Sequence, residues 1–121
     1  MRKLHCLLVA AAILTLGVTL ATAHAVLVRS SPAAGSVLKR APKEIRLSFN
    51  ENIEPRFSSI TLNRDDGGKV ETASVTADPR KRTDLVLPLS ELQPGKYQVQ
   101  WQVTSTDTHR INGSFAFEFR P

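Results

Sequence analysis

The sequence predicts an all-β domain, an immunoglobulin-like Greek-key β-sandwich of about seven strands. Three observations carry this. The clearest periodicity is two, turn residues punctuate the chain at short intervals, and no segment carries a convincing helical repeat. Seven short strands in just under a hundred residues is the usual economy of such a sandwich.

The elements follow in order. Val26–Val28 opens as a short apolar run before Ser31-Pro32 and Gly35. Ile45, Leu47 and Phe49 then alternate with Arg46 and Ser48, which gives one apolar and one polar face. A short turn is expected within 50–57. Ile60 and Leu62 form the next alternating pair, closed by Asp65-Asp66-Gly67-Gly68, and Val70–Val75 and Leu85–Leu87 read as further strands flanking Asp78-Pro79. Arg80-Lys81-Arg82 reads as a solvated basic loop. After Pro94-Gly95 the pattern is strongest: Tyr97, Val99, Trp101 and Val103 face one way, and Gln98, Gln100 and Gln102 the other. Trp101 is the expected centre of the core. Asn112-Gly113 reads as a tight turn before Phe115, Phe117 and Phe119.

Residues 1–23 have the layout of a cleaved secretory signal peptide: Arg2 and Lys3, an apolar stretch from Cys6 to Leu20, and Ala21-Thr22-Ala23 as an A-x-A cleavage site. Cys6 lies at the start of that stretch and not at its end, the wrong place for a lipid anchor. Cleavage after Ala23 leaves 98 of the 121 residues, 24–121, with 14 basic and 11 acidic side chains and a net charge of +3. So mild a charge argues against nucleic-acid binding. No later apolar run approaches the ~20 residues of a membrane-spanning helix. Cleavage also removes the single Cys and the single Met, so thiolate and thioether chemistry leaves with the leader.

Two histidines remain. His24 becomes the first residue and offers both its α-amine and its imidazole to one metal ion; the plainer reading is a solvated chain end. Asp107 and His109 lie two apart in a polar stretch, Ser105–Gly113, and in extended backbone that spacing turns both side chains to one side. The plainer reading there is an exposed loop. Together these groups supply an amine, two imidazoles and a carboxylate. Three nitrogens and one oxygen without sulfur suit tetragonal Cu(II), whereas Zn(II) prefers a tetrahedron and Cu(I) prefers sulfur. Glu51 and Glu54 follow a strand and are placed to flank a metal or simply to face solvent. No P-loop, Rossmann or G-x-S-x-G pattern is present.

The chain resembles the CopC family of periplasmic copper-binding proteins, and more closely its YobA-like members without methionine. The resemblance runs through His24-Ala25, Ser31-Pro32-Ala33, Gly35, Pro42, Phe49 and Glu51, then Pro94-Gly95-Lys96-Tyr97-Gln98-Val99-Gln100-Trp101-Gln102-Val103, Ser105, Asp107, His109 and Gly113. It departs at Arg110, where many members have Pro. It implies a β-sandwich that binds one Cu(II) through His24, Asp107 and His109, with Glu51 as a minor neighbour. It also implies a periplasmic copper carrier or buffer in copper homeostasis or resistance, not an enzyme, partnered by an inner-membrane copper transport protein of the CopD type. The rival expectations are a copper oxygenase built on the terminal histidine and a metal-free interaction domain.

Overall fold

The computed structural model describes residues 25–121; the leader expected over 1–23 and the expected ligand His24 lie outside them. Eight strands form two four-stranded sheets. In chain order they are β1 (Leu27–Ser31), β2 (Val37–Leu38), β3 (Glu44–Phe49), β4 (Ser59–Arg64), β5 (Thr76–Asp78), β6 (Lys81–Pro88), β7 (Gly95–Thr104) and β8 (Arg110–Phe119). One sheet has the order β1-β3-β6-β5 and the other β2-β8-β7-β4. The only helical element among the described residues is a 3₁₀ turn at Pro55–Phe57, inside the interval expected to turn.

Alternation sets the core. Ile45 and Leu47 of β3 stand opposite Leu87 and Leu85 of β6, and all four are buried. Across the gap, β7 presents Tyr97, Val99, Trp101 and Val103, while β4 contributes Ile60 and Leu62. Phe49 meets Trp101 edge to face, with ring centroids 5.4 Å apart, a geometry that favours aromatic pairs. Tyr97 stacks on Phe117 and its hydroxyl donates to the carbonyl of Gln93, four residues upstream. A tyrosine near the start of a strand tied back in this way is a recurring device of immunoglobulin-like sandwiches. On the outer face of the first sheet, Arg46 Nη1 reaches Asp78 at 2.8 Å and Asp84 at 3.0 Å, joining β3, β5 and β6. The Arg46 guanidinium, together with the Arg80 backbone N–H, holds the Asp78 carboxyl below its ordinary range.

Three expectations need correction. Val70–Val75 is not a strand: only Lys69 bridges back to Asn63, and the next strand begins at Thr76. Val70 and Val75 instead pack against the core from irregular backbone. Within Arg80-Lys81-Arg82 the side chains are exposed as expected, but Lys81 and Arg82 already belong to β6. Asn112-Gly113 is not a turn. Both residues lie inside β8, with Asn112 opposite Gln102 and Gly113 opposite Trp101. Gly113 serves close approach, because a Cβ there would lie 2.4 Å from Trp101 Cζ2. The two-residue β2, parallel to β8, had no periodicity to announce it.

Candidate metal centre

β7 and β8 pair over ten residues, from Gly95 opposite Phe119 to Thr104 opposite Arg110. The hairpin therefore delivers its connecting segment, Ser105–His109, to one end of the sandwich on a long, fully paired base. Ser105 N–H donates to the His109 carbonyl at 3.0 Å, and Thr108 N–H donates to the Ser105 carbonyl at 2.9 Å. Thr108 has φ +75°, a left-handed conformation uncommon outside glycine. Asp107 and His109 thus meet across a turn and not along extended backbone. The expected proximity holds, but by a different route.

Asp107 Oδ2 lies 3.0 Å from His109 Nδ1, and both side chains are 45% exposed. The other oxygen, Oδ1, accepts from the Ser105 hydroxyl and from His109 N–H. The Ser105 hydroxyl first, and His109 next, lower the Asp107 carboxyl to about 2, so it is ionised at any physiological pH. Two donors bound at right angles to one ion, each about 2 Å from it, stand roughly 2.8 Å apart. The two atoms hydrogen-bond at this distance, and the same spacing is close to that of adjacent ligands.

A second segment supports this end. Thr106 N–H donates to the Asn52 carbonyl at 3.0 Å, Ile53 bridges Ser105, and Glu54 N–H donates to the Thr104 carbonyl at 2.9 Å. The start of the described chain is tied to the same segment. Val26 N–H donates to Asn50 Oδ1 at 2.6 Å, Asn50 N–H donates to the Val26 carbonyl at 3.1 Å, and Ala25 is 2% exposed. Residues 25–26, 50–54 and 104–109 therefore share one end of the sandwich. The chain is anchored there one residue after His24.

Among the described residues, Asp107 and His109 form no metal-sized group with a third His, Cys, Asp or Glu, so Glu51 does not join them in this structure. Surface grooves of about 560, 690 and 430 Å³ lie along the sheets, and none is lined by Asp107 or His109. The pair sits on an open rim, suited to a small ion more than to an enclosed organic substrate. No helix among the described residues is long and apolar enough to cross a membrane. Sequence reasoning gave no role to Ser105, Asn50 or Asn52. For Ser105 the signal was the S-x-D-x-H spacing, in which a short polar side chain can reach one two residues on, whereas Asn50 and Asn52 act over long range and carried no local signal.

Comparison with known proteins agrees with this frame. The CopC domain model matches residues 27–120. Protein YobA of Escherichia coli K12 is 32% identical over 99 residues, covering 81% of this chain and 80% of its own. Copper resistance protein C of Pseudomonas syringae pv. tomato is 36% identical over 107 residues, covering 84% of each chain. Copper transport protein CutJ of Bacillus subtilis is 31% identical over 96 residues, 78% of this chain but only 18% of the longer protein. Among solved structures, CopC from Methylosinus trichosporium OB3b superposes with a TM-score of 0.76 at 33% identity, covering 81% of this chain and 95% of that one. PcoC of Escherichia coli, a methionine-rich copper resistance protein, gives 0.72 at 32% identity, covering 81% and 100%. With its sandwich topology, its hairpin-borne Asp–His pair and a family match spanning nearly every described residue, the chain belongs to the CopC family.

Proposed function

We propose that this chain is an exported Cu(II) carrier or buffer acting in copper homeostasis or resistance. It holds one ion through the α-amine and imidazole of His24, the carboxylate of Asp107 and the imidazole of His109. The observation that carries this reading is the Asp107–His109 pair: ionised carboxylate and imidazole 3.0 Å apart on an exposed rim. Support for the remaining donors comes from the anchoring of Ala25 and Val26 at the same end of the sandwich as Asp107 and His109. The chemistry of the set favours Cu(II), since it contains nitrogen and oxygen but no sulfur. Relatives named for copper resistance and copper transport favour copper as the cargo.

Cleavage after Ala23 delivers the protein to the periplasm with His24 first. Its partner is an inner-membrane copper transport protein of the CopD type. CutJ supports that pairing, because there a domain like this one is a small part of a much longer copper transport protein. We read the protein as a carrier and not an enzyme, because Asp107 would fill a ligand position at the ion that an oxygenase keeps open. Ascorbate and peroxide should therefore yield no oxidised sugars from polysaccharide, and products that vanish in His109→Ala would favour the oxygenase.

The decisive experiment is the intact mass of the exported protein with and without Cu(II). A mass beginning at His24 that gains one copper is expected. A mass beginning at Val26, or no copper gained, refutes the reading.

A further inference from the structure

We propose that Ser105 is the positioning residue of the metal centre: its buried hydroxyl holds one oxygen of Asp107 and so aims the other at the ion. The inference rests on the Cu(II) reading above. Ser105 is 1% exposed, in contrast to the half-exposed Asp107 and His109 it supports. Its backbone is held on several sides. The N–H donates to the His109 carbonyl, the carbonyl accepts from Thr108 N–H, and Ile53 bridges it from the neighbouring segment.

A serine hydroxyl has one proton to donate. Buried here, it has two acceptors in reach, Asp107 Oδ1 and the His109 carbonyl at 3.3 Å. The carboxylate is the stronger acceptor of the two, and the carbonyl already accepts from the Ser105 N–H, so the hydroxyl belongs to the carboxylate. With Oδ1 fixed by this hydroxyl and by His109 N–H, Oδ2 is the oxygen left facing Nδ1. An exposed aspartate without this bond would sample several rotamers and exchange its two oxygens. The rigid end of β7 therefore sets the orientation of a ligand that solvent alone would leave loose, as outer groups around metal ligands generally do.

The test is a double-mutant cycle on the chain starting at His24. Cu(II) affinity is measured by chelator competition, and melting is followed without copper, for wild type, Ser105→Ala, Asp107→Ala and the double variant. Ser105→Ala should weaken Cu(II) binding about 10- to 100-fold, the usual effect of removing an orienting group. In the Asp107→Ala background the same change should cost less than about 2-fold, because the bond it removes is already gone. Equal losses in both backgrounds, or unchanged affinity in folded Ser105→Ala, overturn the proposal. A wild-type chain that binds no Cu(II) would refute the function instead, which keeps the two failures distinct. Should Ser105→Ala not fold, proton NMR of the copper-free protein decides. A slowly exchanging Ser105 hydroxyl proton present in wild type and lost in Asp107→Ala supports the assignment, and its absence from wild type overturns it.

Discussion

Replacing Gly113 by alanine should damage this protein far more than loss of a turn glycine would. A Cβ at that position would stand 2.4 Å from Trp101 Cζ2 and 2.8 Å from Cε2. Carbon atoms in contact prefer about 3.5–4.0 Å, so the clash exceeds ~1 Å. The indole cannot simply swing away. It is buried, and Phe49 packs against it edge to face. Strain of this kind costs about 3 kcal/mol, near the upper end for overpacked cores. In a domain of this size that corresponds to a melting temperature lower by roughly 12–24 °C. Urea and thermal unfolding of the copper-free protein provide the assay. Gly113 is not among the described glycines with positive φ, so the penalty comes from space and should depend on Trp101. Combining Gly113→Ala with Trp101→Leu should recover at least ~1 kcal/mol relative to additivity. A cost below ~1 kcal/mol, or strict additivity with Trp101→Leu, would refute the close-approach explanation.

The remaining predictions concern the metal centre and its scaffold. One Met placed before His24 converts the α-amine to a peptide nitrogen, so copper-induced melting shifts should collapse while copper-free melting stays unchanged; equal shifts would remove the amine from the site. His109→Ala should weaken Cu(II) binding severely and take one nitrogen from the EPR spectrum, whereas Glu51→Gln should have little effect; equal losses would reverse that ranking. Copper should be released on acidification, because protons compete with the ion for its amine and imidazole donors; unchanged affinity at about pH 4 would refute this ligand set. Asp107 behaves separately: its folded value is depressed from 3.8 to about 2, so its contribution to copper-free stability is present above about pH 4 and lost as pH falls toward 2. Asp107→Asn should flatten that acid window, and an unchanged profile would count against it. Tyr97→Phe should cost about 1 kcal/mol in urea unfolding for the lost bond to Gln93; a neutral result would mean that water replaces that bond.

The sandwich was legible because burial on one face writes itself as alternation. Tyr97 to Val103 and Ile45 to Phe49 are strands wherever they find a second sheet to face. Period two says nothing about what pairs with what, so β2, with two residues and no pattern, was invisible. Gly113 misled for a definite reason. Asn-Gly favours a tight turn locally, but the register of β8 against Trp101 requires a residue without a side chain, and tertiary packing outweighed local preference. His109 was recognisable from composition, as one of two histidines in residues 24–121, and Asp107 from its place two residues before it. The turn that joins them was not, because it depends on a threonine in a left-handed conformation and on carbonyls contributed by Asn52 and His109.

The four sheet edges bear on how such a protein behaves when crowded. An unpaired strand edge is a template on which another chain can build, and long flat edges invite self-association. Here β2 and β5 end their sheets with two and three residues, too short to seed a ladder. At the β4 edge, Val70 N–H already occupies the Leu62 carbonyl and Lys69 bridges Asn63. At the β1 edge, a register shift between Leu27 and Arg29 breaks the regular spacing of the strand, and Arg29 projects charge into solvent. Each border among the described residues is blunted, two by shortness, one by a bridging segment and one by a register shift, so copies accumulating at high concentration have little opportunity to add strands to one another.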